Sequence, residues 1–170
     1  MPGPLTLKDD RLYHFDGGKV LPAWIDWNGH MNVAYYVLAF DQAVDAQFDA
    51  MGLDSEERET TGCSMFAAEM HLLWKKELSE DEPIAITFQF LDFDEKRVHS
   101  ILHMYHGSAG YLAATCELMQ LSVDLNARRS VPWSPKVLSR LQNLYAPQQG
   151  LPRPAEVGRV MGVPVRAPAG

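Results

Sequence analysis

Several features that mark particular classes of protein are scarce or missing in this sequence. Cysteine occurs only at Cys63 and Cys116, without a CxxC pair, so we expect reduced thiols and no disulfide. No apolar run approaches the ~20 residues that span a bilayer. The first residues lack the charged and apolar regions of a signal peptide. We therefore expect a cytoplasmic protein that does not enter a membrane.

Positive charge is also in short supply. Lys and Arg together number 15 against 22 Asp and Glu, which gives a net charge of −7. This balance argues against a nucleic-acid-binding surface, although local basic clusters can still hold a small phosphorylated ligand. With 170 residues, 46% of them hydrophobic, the composition is typical of one globular domain with a full core.

The longest helical pattern begins at Val33. Apolar residues then recur at the spacing of one helix face: Val33, Tyr36, Val37, Phe40, Val44, Phe48 and Met51. Asn32 is a suitable N-cap, and Gly52 is a natural residue for ending the helix. The pattern predicts a largely buried helix between them.

Strand-like patterns surround this helix. A short strand is predicted at 19–25, and four longer runs follow at 64–77, 84–94, 97–107 and 110–125. Because polar or Gly-rich connections separate these four runs, we expect hairpins and an antiparallel meander. A short helix is predicted at 135–144. The expected fold is α+β, with a five-stranded sheet packed on the long helix.

The domain boundaries follow from these elements. Residues 1–17 read as an N-terminal lead-in, 18–145 as the folded domain, and 146–170 as a flexible tail rich in Pro and Gly. One sheet of this size leaves an edge strand unpaired, so we expect dimerisation through an edge.

A cluster of polar residues immediately precedes the long helix. It consists of Asp26, Gly29, His30 and Asn32. A helix start offers N–H groups without intrahelical partners and the positive end of the helix dipole. A carboxylate beside such donors indicates a hydrolytic site.

The spacing Asp26-x-x-Gly29-His30-x-Asn32-x-x-x-Tyr36 resembles the signature of hotdog-fold acyl-CoA thioesterases of the 4-hydroxybenzoyl-CoA thioesterase type. The resemblance extends over about residues 18–135. It implies a hotdog fold, in which an antiparallel sheet wraps around one central helix. It also implies a homodimer joined edge to edge, with a homotetramer as the alternative, and active sites at the subunit interface. No cofactor or metal is implied, since CoA is part of the acyl-CoA substrate.

The resemblance also implies roles for the residues of the motif. Asp26 would be a general base on water, or a nucleophile that forms an anhydride. Backbone N–H groups near Gly29, His30 and Met31 would bind the negative oxygen of the tetrahedral intermediate. Each residue also has a structural interpretation: Asp26 can brace the loop, His30 can bond across it, and Asn32 can serve only as a cap.

Other residues are candidates for binding the substrate. The substrate-binding candidates are Trp27, Tyr36 and Glu69, with core or interface packing as the alternative for Tyr36. CoA phosphates require cations, and the candidates near strand ends are Lys75, Lys76, Lys96, Arg97, Arg128 and Arg129.

Three segments, 28–32, 69–71 and 94–99, are similar to the thioesterase domain associated with carnitine breakdown, a group that includes enzymes acting on betainyl-CoA. Its trimethylammonium acyl group would favour an aromatic cage. Trp24, Trp27, Tyr35 and Trp74 are available for a cage, although each can equally be a packing residue.

Competing functions have weaker support. The pairs Glu69/His71 and His99/His103 lie on strand patterns without a metal-binding spacing, and Ser64 and Cys63 lack the context of a nucleophile. A hotdog enoyl-CoA hydratase would need a different motif, Asp-x-Asn-Pro-x-His. A non-catalytic acyl-CoA-binding protein remains the alternative from another functional class.

Overall fold

Residues 3–163 are described by the computed structural model of the protein. The strands are β1 Thr6–Leu7, β2 Tyr13–Lys19, β3 Cys63–Trp74, β4 Pro83–Phe93, β5 Arg97–His106, β6 Leu112–Asp124 and β7 Arg129–Ser130. The helices are α1 Val33–Met51, α2 Ser55–Thr61 and α3 Pro135–Tyr145, with 3₁₀ turns at Pro22–Trp24 and Ala146–Gln148. Five strands have seven residues or more, which agrees in number with the predicted five-stranded sheet, and β1 and β7 are additions of two residues each.

The helix predicted at Val33 is confirmed. Asn32 caps α1, since its Oδ1 accepts the N–H of Ala34 at 3.0 Å. Gly52 ends the helix in the left-handed region, with φ of 72°. The face of α1 that contacts the sheet includes Phe40, which is completely buried.

The sheet supplies the other half of the core. Alternate residues of β4 point at the helix, and Ile84, Ile86, Phe88 and Phe90 are all at most 2% exposed. This alternation of bulky apolar residues with small or polar ones is the pattern that predicted the strand. It fixes which face of the sheet wraps α1.

The order of strands in the sheet is β1-β2-β4-β5-β6-β3, and β7 pairs with β6. Every pairing is antiparallel, and β4, β5 and β6 form the predicted meander. The predicted hairpin between β3 and β4 is wrong, because β3 pairs with β6. The connection 75–82 instead passes over the start of α1, where its central residue Leu78 is completely buried.

The first long strand lies earlier in the chain than predicted. The expected strand at 19–25 is wrong, because the strand covers Tyr13–Lys19 and Pro22 begins a 3₁₀ turn. Tyr13 and Phe15 provide the alternating buried side chains of β2. Gly17 lies at an irregularity in the pairing with β4, where a Cβ would stand 2.6 Å from the Cγ2 of Ile84. Most of β2 therefore comes from the predicted lead-in.

The C-terminal part begins as predicted with α3, which Ser134 caps by accepting the N–H of Val137 at 3.3 Å. The chain beyond α3 then crosses the face of the sheet opposite α1. There the N–H of Gly158 donates to Glu117 at 2.8 Å. The predicted flexibility of 146–170 stays a prediction, and residues 164–170 lie outside the described range.

One edge of the sheet is long and unpaired. β3 has β6 on one side and no strand on the other within residues 3–163. It exposes Phe66 at 36% and Trp74 at 48%. As for membranes, the described helices include none with the length and apolar character needed to cross one.

Candidate active site

The loop that precedes α1 is closed by its own backbone. Ile25 and Met31 form an isolated antiparallel bridge. Within it, the N–H of Asp26 donates to the carbonyl of His30, and the N–H of Gly29 donates to the carbonyl of Asp26, both at 3.0 Å. Gly29 has φ of 84° with open space around it, so the tight turn requires glycine for conformational reasons.

Asp26 both braces this loop and keeps a free oxygen. Its Oδ1 accepts the N–H of Asn28 at 2.8 Å, which is the structural role considered for it. Its Oδ2 has no hydrogen-bond partner within residues 3–163, and the side chain is only half-buried. The carboxylate therefore has a fixed position and one oxygen available for chemistry.

The loop leaves two N–H groups available at the start of α1. Of the three predicted oxyanion donors, Gly29 and Met31 use their N–H groups inside the protein. Asn32 accepts two N–H groups of the helix: its Oδ1 accepts that of Ala34, and its backbone carbonyl accepts that of Tyr35. In the described part of the chain, the N–H groups of His30 and Val33 have no partner. His30 therefore remains a candidate oxyanion donor, and Gly29 and Met31 do not. Val33 is a further candidate that the sequence analysis did not identify.

Leu78 attaches this loop to the rest of the domain. Its carbonyl accepts the N–H of Met31 at 2.8 Å. Its N–H donates to the hydroxyl oxygen of Tyr36 at 3.1 Å. Tyr36 is 3% exposed, and burial raises the pKa of its hydroxyl. The Tyr36 hydroxyl therefore holds the 75–82 connection against α1.

A cleft of about 310 Å³ opens beside the loop. It is lined by His30, Met31, Val33, Tyr36, Trp74, Lys75, Lys76 and Glu77. The Nε2 of His30 lies 3.7 Å from a carboxylate oxygen of Glu77. The sequence pattern did not identify Glu77, because its approach to His30 depends on the crossing of 75–82 over the start of α1.

The other aromatic candidates lie elsewhere. Trp24 is 8% exposed and stacks on Tyr35, with ring centroids 5.3 Å apart. Trp27 is 96% exposed on the loop. Only Trp74 of the four candidates lines the cleft among the described residues.

Glu69 does not reach this cleft within one chain. It lines a second cleft of about 560 Å³, together with His71, His99 and Glu117. Side chains alternate between the two faces of a strand, and this cleft lies on the face opposite α1. A shared site for Glu69 and Asp26 would therefore need a second copy of the chain.

The candidate cations fall into two groups. Lys75 and Lys76 border the cleft, whereas Arg97 pairs through β6 with Phe66 near the far end of β3. Phe66 and Trp74 are eight positions apart on β3, a distance of roughly 26 Å. Arg128 lies 5.5 Å above the Phe66 ring, and Lys96 adjoins Arg97. The structure therefore does not bring Lys96, Arg97 or Arg128 to the cleft of their own chain.

The two histidines at the centre of β5 each lie beside a carboxylate. His99 lies 2.8 Å from Glu117, and His103 lies 3.9 Å from Glu156. Burial lowers the pKa of His103. Residues 3–163 contain no group of three or more His, Cys, Asp or Glu side chains placed to hold a metal ion.

Comparison with known proteins was made for sequence and for structure. A family model described as the thioesterase-like superfamily matches residues 20–141. The betainyl-CoA thioesterase of Pseudomonas aeruginosa is 40% identical over 145 residues, 85% of this chain and 91% of that protein. The L-carnitine dehydrogenase/betainyl-CoA thioesterase of Rhizobium meliloti is 33% identical over 94% of this chain, which spans 30% of that longer protein.

Solved structures also show similarity to proteins of this kind. A hypothetical protein of Staphylococcus aureus in complex with CoA has a TM-score of 0.84 and 26% identity, covering 96% of this chain and 99% of its own. A proposed thioesterase of Pseudomonas putida has a TM-score of 0.76 and 30% identity, with coverage of 97% and 99%. These matches confirm the predicted hotdog fold and the predicted class of enzyme, a thioesterase. The chain belongs to the thioesterase-like superfamily.

Proposed function

We propose that the protein hydrolyses acyl-CoA thioesters at the loop before α1, and that betainyl-CoA is its substrate. The reaction is supported by three groups that have no hydrogen-bond partner within residues 3–163: the Oδ2 of Asp26 and the N–H groups of His30 and Val33. The substrate assignment is supported by the 40% identical relative from Pseudomonas aeruginosa, which is named a betainyl-CoA thioesterase.

The proposed chemistry uses these groups together. As a general base, Asp26 takes a proton from water while the water oxygen bonds to the thioester carbonyl carbon. The carbonyl oxygen becomes negative and accepts hydrogen bonds from the N–H groups of His30 and Val33. The C–S bond then breaks, the sulfur of CoA takes up the proton that Asp26 accepted from water, and the free carboxylic acid leaves.

A nucleophilic role for Asp26 differs in one intermediate. Its carboxylate would bond to the carbonyl carbon, expel CoA and form an anhydride that water then hydrolyses. Turnover in water labelled with ¹⁸O separates the two routes. Label in the Asp26 side chain, detected by peptide mass after many turnovers, indicates the anhydride. Label confined to the released acid indicates that water attacks the acyl carbonyl carbon, as the general-base route requires.

A panel of acyl-CoA substrates tests the function itself. Release of the CoA thiol is measured with betainyl-, benzoyl-, short-chain and long-chain acyl-CoA. The expected result is fastest release from betainyl-CoA. Binding of the panel without release would instead support the acyl-CoA-binding alternative, and hydration of an enoyl-CoA would support the hydratase.

CoA itself is proposed to contact the cations beside the cleft. Lys75 and Lys76 are the candidates from the same chain, because both border the space next to Asp26's loop. The Staphylococcus aureus protein that shares this fold was solved in complex with CoA, which supports CoA as the ligand. Replacing both lysines with Gln is expected to raise KM for acyl-CoA more than it lowers kcat.

The proposed assembly is a homodimer in which two β3 edges pair, with a homotetramer as the alternative. This arrangement is supported by the edge of β3, which has no strand partner in residues 3–163, and by its exposed Phe66. Antiparallel pairing would bring the Cys63 end of one β3 beside Trp74 of the other. Arg128, which contacts Phe66 near the Cys63 end of β3, would then approach the second copy's cleft.

Light scattering after gel filtration tests the dimer. The expected mass is twice the 19.1 kDa of one chain, or four times that mass for the tetramer. Ala68 lies at an irregularity in the pairing of β3 with β6, so Ala68→Pro should block the outer edge and lower the mass. Ala68→Ser is the matched control. An unchanged mass for a folded Ala68→Pro variant would argue against pairing through β3.

A further inference from the structure

We propose that Trp74 and Glu77 form the binding site for the trimethylammonium end of the acyl group. The pair would determine the specificity of the enzyme for a cationic acyl chain. This inference rests on the proposed function and adds the two residues that select its substrate.

The length of the acyl group decides where its cation must lie. In a betainyl thioester, one methylene separates the reacting carbonyl carbon from the ammonium nitrogen. Two bonds of about 1.5 Å each join these two atoms. The cation therefore has to sit in the same cavity as the reacting carbonyl. His30 and Val33, whose N–H groups are the candidate oxyanion donors, both border the 310 Å³ cleft.

Trp74 is the aromatic side chain placed for such a cation. It is the last residue of β3, lines this cleft and remains 48% exposed in the single chain. The face of an indole ring attracts a quaternary ammonium group through its quadrupole. Tyr36 also borders the cleft but is only 3% exposed, so it offers little surface to a ligand.

Glu77 supplies the matching negative charge. Its carboxylate lies 3.7 Å from the Nε2 of His30, a separation longer than a hydrogen bond. The side chain is 73% exposed. A carboxylate with this freedom can turn toward a cation in the cleft.

The two lysines that border the cleft have other partners for their ammonium groups. Lys75 Nζ lies 3.4 Å from Glu156 on the C-terminal segment. Lys76 Nζ lies 3.9 Å above the centre of the Tyr111 ring. Neither contact involves Glu77, which is the one acidic residue among the described residues that line the cleft, so the two lysines do not neutralise its charge.

The test compares betainyl-CoA with its neutral carbon isostere, 3,3-dimethylbutanoyl-CoA, which replaces the ammonium nitrogen with carbon. The readout is the ratio of kcat/KM for the two substrates, so a general loss of activity does not enter the result. The wild type is expected to prefer betainyl-CoA. Trp74→Leu should lower the ratio by about tenfold, and Glu77→Gln should lower it by about fivefold.

Matched variants separate recognition from general damage. Trp74→Phe keeps an aromatic face and should retain most of the preference. Glu80→Gln removes an exposed carboxylate from the same connection and should leave the ratio unchanged. Competitive inhibition by tetramethylammonium gives a second readout, and it should weaken in Trp74→Leu.

The results can separate failure of the trimethylammonium site from failure of the proposed thioesterase activity. If Trp74→Leu and Glu77→Gln hydrolyse both substrates with the wild-type ratio, the site is wrong and the thioesterase proposal stands. If the wild type hydrolyses other acyl-CoA substrates but neither of these two, the betainyl assignment and the site are both wrong.

Discussion

Replacing Tyr36 with Phe removes a single oxygen from a buried contact beside the active loop. The hydroxyl accepts the N–H of Leu78 at 3.1 Å, and Leu78 is completely buried. Without the hydroxyl, this N–H loses its partner inside the protein. An unsatisfied buried donor costs about 1–3 kcal/mol, so Tyr36→Phe should lower the free energy of unfolding by about that amount.

Urea denaturation followed by tryptophan fluorescence measures this change. For a protein of this size, each kcal/mol should also lower the melting temperature by about 2–4 °C. Tyr35→Phe is the matched control, because the hydroxyl of Tyr35 has no hydrogen-bond partner in the described residues. Its unfolding free energy should stay within about 0.5 kcal/mol of the wild type.

The same variant separates positioning from catalysis at Tyr36. Because the hydroxyl holds Leu78, and Leu78 holds Met31, kcat should fall by less than about tenfold. A loss of more than about 100-fold in kcat with unchanged stability would refute this reasoning. It would indicate that the hydroxyl acts directly on the substrate.

Three further predictions follow from contacts elsewhere in the protein. Asn32→Ala should lower the unfolding free energy by about 0.5–2 kcal/mol through loss of the α1 cap, while Asn32→Ser should retain most of it; equal loss in both would contradict a capping role. Gln148→Leu should lower the unfolding free energy by at least about 2 kcal/mol, because the buried amide of Gln148 accepts the N–H of Phe90 and donates to the carbonyl of Phe88. Gln149→Leu, at an exposed position, is the control in the same denaturation assay. Burial raises the pKa of the Cys116 thiol to about 12, so a thiol reagent at pH 8 should modify Cys63 in the folded protein and reach Cys116 only after unfolding; rapid reaction at both would contradict this burial.

The parts of the fold that were predictable are those with local patterns. Periodicity and end signals such as Asn32 and Gly52 located α1, and alternation located four strands. The neighbour of β3 was not predictable in this way, because strand pairing depends on contacts between distant segments. In β2, glycine is required at position 17 by its close approach to Ile84, a contact that the local sequence does not indicate.

The candidate site likewise contains residues that a local motif predicts and residues that it does not. The geometry of Asp26 and the cap at Asn32 arise from residues within one short loop, so the sequence motif was sufficient to find them. Glu77 and Leu78 come from a connection whose Leu78 is 42 positions beyond Tyr36. Their approach to the loop follows from the crossing of 75–82 over α1, which no local pattern indicates.

The most direct test of the whole account is the turnover of betainyl-CoA by Asp26→Asn. The amide oxygen of Asn can still accept the N–H of Asn28 and so preserve the loop, but it can act neither as a base nor as a nucleophile. We predict a fall in kcat of about 10²–10⁴-fold, with wild-type activity in Asp45→Asn on the exposed face of α1. A kcat for Asp26→Asn within about threefold of the wild type would contradict the assignment of the reaction to this carboxylate.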